Sequence, residues 1–270
     1  MSRLSKQIQL RYEGFLQTPS LWTKEALYTL DPFEINPASS IFNLPLDEKL
    51  RLGKYVERFV SFQLQQEASI NIIAENIQIQ KDKITLGEVD CLLYKEEQPI
   101  HLEVVYKFYL YDPNVGSTEI DHFIGPNRKD SLLEKLNKLK DKQLPLVFKE
   151  EAKSYLDRYK MDASKLKQQV YFKAQLFVPY AAQEIRLDRL NESCITGFYL
   201  NPTELQLFTD CKFYLPEKKD WLLAPSTQVA WLSFPDFHQK MTVFLADKIS
   251  KLCWLKKPNG TIHKIFVVWW

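Results

Sequence analysis

GEVDCLLYKEEQPIHLEVVYKFY, the stretch from Gly87 to Tyr109, decides the fold. Two apolar runs of strand character flank Lys95-Glu96-Glu97-Gln98-Pro99, a polar segment closed by proline that reads as a hairpin turn. A tight turn centred on Glu96 and Glu97 sets Asp90 directly across from Glu103. Opposed Cβ atoms on neighbouring strands lie about 5 Å apart. Carboxylates that close repel, and a low dielectric tolerates them when a cation or a shared proton neutralises them. Register decides the matter, because a slip of one residue would turn one carboxylate to the other face. Along the later strand His101, Glu103, Val105, Lys107 and Tyr109 share one face, and Leu102, Val104, Tyr106, Phe108 and Leu110 share the other. The second set is continuously apolar, as expected of a strand covered by a helix in an α/β core.

Upstream, Leu46 to about Gln66 has helical spacing, with a stripe at Leu50, Gly53, Glu57, Val60 and Leu64. Glu57 inside that stripe either reaches its edge and snorkels to water or is held inward by a partner. Residues 69–80 read as a strand, and Lys81-Asp82 turns the chain into the next. The order is therefore helix, strand, strand, strand. Before it, residues 1–45 read as one or two short helices, about Leu4 to Leu16 and Leu21 to Leu30, broken by Thr18-Pro19 and Asp31-Pro32.

Downstream, Asp130 is placed to cap a helix from Ser131 to about Gln143. Leu132, Leu136 and Leu139 form its apolar stripe, and Arg128, Lys129, Lys135, Lys138 and Lys142 its basic side. Those cations serve either as a solvated face, supported by Glu134 and Lys138 at i,i+4, or as a face that tracks nucleic-acid phosphates. Asp121-His122 in the preceding polar loop reads as solvated and stays outside the site. Residues 145–169 read as a charged helical connector. Beyond it lie strands at Val170–Tyr180, Cys194–Leu200 and Lys212–Leu215, a helix from about Phe237 to Leu252 capped by Asp236, and a closing strand from Ile262 to Trp270.

GEVD, a short gap and then HLEVVYK resembles the core of the PD-(D/E)XK phosphodiesterase superfamily, in which an acidic residue closing one strand is followed by Glu-x-Lys on the next. Through GEVD, VYKFYL and IGPNRKDSL the whole chain resembles an uncharacterised bacterial family, a domain of unknown function placed in that superfamily. The resemblance implies an α/β (α+β) fold with a restriction-endonuclease-like core, a mixed β-sheet flanked by helices, and a β-rich C-terminal half. Residues 1–45 would be an N-terminal helical segment, 46–150 the nuclease core, and 151–270 the connector and β-rich region. It also implies metal-dependent cleavage of a phosphodiester in DNA or RNA, with Asp90 and Glu103 as metal ligands. Glu57 is the third, since the superfamily often supplies a carboxylate from the helix before its first strand. An all-oxygen donor set suits Mg²⁺ or Mn²⁺ rather than zinc. The superfamily lysine should stand where Val105 stands, and Lys107, one strand repeat further on the same face, takes its part. A nucleic-acid-binding or scaffold protein that kept the fold and lost catalysis has the same pattern.

At 270 residues and 45% hydrophobic the chain can bury a sizeable core. A formal charge of +2 leaves any nucleic-acid surface to local clustering. Cys91, Cys194, Cys211 and Cys253 form no CxxC pair, which argues against a zinc site and suits free thiols in a reducing cytosol. The start MSRLSKQIQL lacks an apolar h-region, and no apolar run reaches the ~18 residues of a bilayer span. The expectation is a soluble, cytoplasmic chain without a membrane partner.

Overall fold

The computed structural model describes residues 3–36, 40–181 and 185–270. Helices α1 (Arg3–Gln17) and α2 (Leu52–Gln65) precede three long strands, β1 (Ile70–Lys81), β2 (Ile84–Lys95) and β3 (Gln98–Tyr111). Strand β4 (Phe123–Ile124) and helix α3 (Leu132–Lys138) follow; a π-turn at Leu139–Gln143 and a 3-10 turn at Leu144–Phe148 then lead to α4 (Glu150–Arg158). The remainder is β5 (Lys167–Pro179), β6 (Ile195–Leu200), α5 (Pro202–Leu205), β7 (Lys212–Tyr214), α6 (Phe234–Ala246), β8 (Lys251–Lys256) and β9 (Ile262–Val267). The class is mixed α/β. The chain forms two compact units, one of Ser20–Tyr106 with Glu134–Lys173, the other of Met1–Pro19, Lys107–Leu133 and Ala174–Trp270.

The first of these units carries the expected order of one helix and three antiparallel strands. Glu96 adopts φ 57° at the β2–β3 turn, and the register runs Lys95 to Gln98, Leu92 to His101 and Cys91 to Leu102, as the short turn dictates. Asp82 does the same at the β1–β2 turn, with φ 53°. Ile77, Ile79, Val89 and Leu92 from the strands bury against Leu146, Val147, Ala152 and Leu156 from the segment after the π-turn. The chain departs from the sequence expectation between Leu21 and Leu30, which is not a helix. Its backbone is committed elsewhere: the Leu21 N–H donates to the Phe172 carbonyl at 2.8 Å, and Lys24, Tyr28 and Thr29 all take left-handed φ.

In the second unit β5 and β6 are parallel, as are β6 and β9, while β9–β8 and β8–β7 are antiparallel, giving a mixed sheet. Leu200, Phe213, Phe237, Met241, Cys253 and Ile265 form a buried cluster between this sheet and α6. Helix α6 starts earlier than expected because Ser233, not Asp236, is its N-cap: the Ser233 hydroxyl accepts the Asp236 N–H, with Pro235 in the first turn. It ends at Ala246 rather than Leu252, since Lys248 turns to φ 56° and β8 begins at Lys251. The closing strand stops at Val267. Ser233→Ala is expected to cost about 1 kcal/mol, seen as a lowered melting temperature. All four cysteines are free and buried. Among the described residues, no helix is long and apolar enough to cross a membrane.

Candidate active site

The β2–β3 pairing stops at Cys91 and Leu102, one residue short of the two carboxylates. Asp90 instead uses its side chain, Oδ2 accepting the Val104 N–H at 3.0 Å. Glu103 is fully buried and held at both oxygens, Oε1 by His101 Nε2 at 3.0 Å and Oε2 by the Gln143 amide at 2.6 Å. The Gln168 amide donates both to the Leu144 carbonyl and to His101 Nδ1. His101 therefore carries its proton on Nε2 and donates it to Glu103. Burial pulls His101 down to about 4, so the ring is neutral near pH 7.

Asp90 and Glu103 form a coupled pair. Burial pushes Asp90 up to about 7, helped by the Glu103 charge and opposed by the Val104 N–H, Lys54 and Lys135. Burial also pushes Glu103 up to about 7, against the Lys135 cation and the hydrogen bonding with Asp90. Near neutrality the pair carries more protons than two exposed carboxyls would.

Two lysines flank it. Lys54, on α2, donates to Glu57 Oε2 at 2.8 Å, to Asn76 Oδ1 at 2.8 Å and, in a very short contact, to Glu88. Asn76 takes φ 55° within β1, a left-handed strand position that asparagine tolerates. Burial opposes the Lys54 charge, and the bonds to Glu57 and Glu88 more than restore it. Burial raises Glu57 as well, with Lys54 opposing and the Asp90 charge adding. Lys135 donates to the Gln143 Oε1 at 2.7 Å and so reaches Glu103 through that amide. The π-turn at Leu139–Gln143 is the backbone device that brings Gln143 there, a use typical of single π-turns.

Glu57, Asp90 and Glu103 thus lie in one unit and act on one another's charge. Lys107 lies in the other unit, paired with Asp130 at 2.7 Å. Asp130 commits its carboxylate there, and its Oδ1 would lie 1.9 Å from a Cβ built on Gly125, so a larger residue at 125 would have to displace that carboxylate. Arg128 pairs with Asp112 at 2.7 Å and covers the Trp270 ring at 4.6 Å. Lys129, Lys138 and Lys142 are exposed, while Lys135 turns inward to Gln143. The basic side read from the sequence is therefore divided among different tasks. Lys54, His101 and Gln143 were not singled out by sequence. Lys54 at i−3 from Glu57, and His101 two residues before Glu103 on the same strand face, were the available signals.

Among the described residues no three acidic, histidine or cysteine side chains close on one point as a ready metal cage. The Asp90–Glu103 pair is nonetheless a fitting donor set for Mg²⁺, which keeps several waters and takes one or two carboxylates together with substrate phosphate. Burial, more than the Lys54 and Lys135 cations offset, keeps both carboxyls partly protonated near neutrality. No curated protein and no solved structure matches the chain. Residues 9–268 match the family described as Domain of unknown function (DUF1853), and the chain belongs to that family.

Proposed function

We propose that this chain is a metal-dependent phosphodiesterase of the PD-(D/E)XK type that hydrolyses DNA or RNA, with Asp90 and Glu103 as the ligands of Mg²⁺ or Mn²⁺. The supporting observation is the carboxylate pair on adjacent strands, Glu103 buried and Asp90 half-buried, whose protons a divalent cation would displace. Such an ion, when bound, supplies Lewis-acid polarisation of a phosphate and a more acidic water. The chain's own groups do the rest. The Val104 N–H, His101 and Gln143 fix the carboxylate oxygens and leave little freedom to either ligand. Lys135 places a cation at the same edge and takes the part for which Lys107 was expected, offsetting negative charge that develops on the phosphate. Glu57, paired with Lys54, would be the further carboxylate available to such an ion. A second reading, a nucleic-acid-binding or scaffold protein without turnover, draws on the buried Val105 at the lysine position and the commitment of Lys107 to Asp130.

Calorimetric titration of Mn²⁺ and Mg²⁺ at pH 8 tests the site. Binding is expected in the wild-type chain and absent in Asp90→Asn and in Glu103→Gln. Cleavage of labelled single-stranded, nicked or duplex DNA and RNA should need the same two residues, and Lys135→Met should lower turnover while leaving metal binding in place. Metal binding without cleavage of any of these would favour the second reading. No metal binding, alone or with an oligonucleotide present, would end the first.

A further inference from the structure

Lys107 has a different neighbourhood from the one its sequence position suggests, and all of it lies in the unit of Lys107–Leu133 and Ala174–Trp270. The Lys218 ammonium sits 3.2 Å from the centre of the Trp221 ring and 5.3 Å from that of Phe108, although the residue as a whole is exposed. Lys251 and Lys107 act on it as like charges, and Asp130, already paired with Lys107, opposes them. Lys251 rests 4.1 Å from the Phe244 ring centre. The segments are tied together: the Ser250 N–H donates to Asn127 Oδ1 at 2.8 Å, and its hydroxyl donates to the Pro126 carbonyl. Two of the three lysines are therefore held by aromatic rings. A ring positions an ammonium without neutralising it, so the cluster retains a net positive charge that a carboxylate partner would have removed.

We propose that Lys107, Lys218 and Lys251 form a phosphate-binding cluster that grips the backbone of a nucleic-acid strand. The inference rests on the nucleic-acid reading above and assigns the contact to residues of the other compact unit, Lys107 from the end of β3 with Lys218 and Lys251 from far along the chain. Charge complementarity selects the occupant, since three lysines with a single opposing carboxylate match the repeated negative charge of a phosphodiester backbone. Burial of the Lys218 ammonium, and then its like-charged neighbours, pulls its pKa down to about 7, and a phosphate seated there would relieve the second of these effects.

Fluorescence anisotropy with a labelled single-stranded oligonucleotide, in EDTA and over a series of salt concentrations, tests the cluster without requiring turnover. Lys218→Gln with Lys251→Gln is expected to weaken binding about tenfold or more at low salt. It should also flatten the slope of log affinity against log salt by about 1.4, the value for two phosphate contacts on a single strand. Lys218→Arg with Lys251→Arg should keep the wild-type slope, which separates loss of charge from loss of fold. Because the assay runs in EDTA and reads neither metal binding nor turnover, failure of the catalytic reading and failure of this one give different results. An unchanged slope in the Gln variant, or a wild-type affinity insensitive to salt, would overturn the proposal.

Discussion

At pH 8 the Asp90→Asn, Glu103→Gln double variant is expected to melt about 6 to 12 °C above the wild-type chain, and at pH 4 the two should melt close together. The sign follows from the direction of the shifts. Both carboxyls hold their protons up to about 7 in the folded chain, against 3.8 and 4.5 as reference values. Between those limits the folded chain binds more protons than the unfolded one, so the pair lowers stability as pH rises. The penalty is absent below about pH 4 and fully developed above about pH 7. Taken as a coupled pair it is worth about 3 kcal/mol, and each kcal/mol moves the melting temperature by about 2 to 4 °C in a chain of this size. Neutral amides keep the shape and remove the titration. Melting curves at pH 4, 6 and 8 would show it, and an equal offset at every pH would contradict it. Mn²⁺ at pH 8 should raise the wild-type melting temperature and leave that of the double variant unmoved.

Gly197→Ala is expected to destabilise the chain by about 3 kcal/mol, at the upper end of ordinary overpacking. Gly197 lies on β6 beside β9, where Phe198 pairs with Ile265 in parallel register. A Cβ built on Gly197 would stand 1.8 Å from the Lys264 carbonyl oxygen and 3.4 Å from the Phe177 ring. The obstacle at 1.8 Å is backbone, so no rotamer change relieves it, and the two strands must separate. Separation would also strain the Lys264 side chain, which is buried and donates to Gln175 Oε1 at 2.8 Å and to the Trp221 carbonyl at 2.6 Å. A denaturant midpoint lowered with little change in slope would be the expected record. Wild-type stability in Gly197→Ala would mean that β6 and β9 have room that the strand spacing denies.

The hairpin was legible because a short polar turn fixes register, and register alone decides which side chains face each other. From Glu96 and Glu97 the sequence leads to Cys91 across from Leu102, and from there to the Asp90–Glu103 pair. The leucine stripe was legible for a similar reason, and Leu132, Leu136 and Leu139 are all buried. What could not be read involves contacts between residues distant in the chain, or backbone states without a sequence mark. Lys107 looked available until its partner, 23 residues later, was known. Lys54 holds Glu57 on its own helix but also Glu88 on β2, and only folding brings those together. The π-turn that presents Gln143 has no composition of its own, and its residues continue a helical pattern without a break. Leu21–Leu30 misled because apolar residues at helical spacing say nothing of three non-glycine residues at left-handed φ.

The Val104 amide is bonded to Asp90 Oδ2 rather than to a carbonyl across the sheet. That makes it a natural spectroscopic probe. A backbone N–H donated to a titrating carboxyl shifts its proton resonance as that carboxyl changes charge, whereas one donated to a peptide carbonyl does not. The nitrogen–proton correlation of Val104 would therefore follow the protonation of Asp90 through neutrality, residue by residue and without mutation. The arrival of a cation at the same oxygens would move that one peak before any reaction took place.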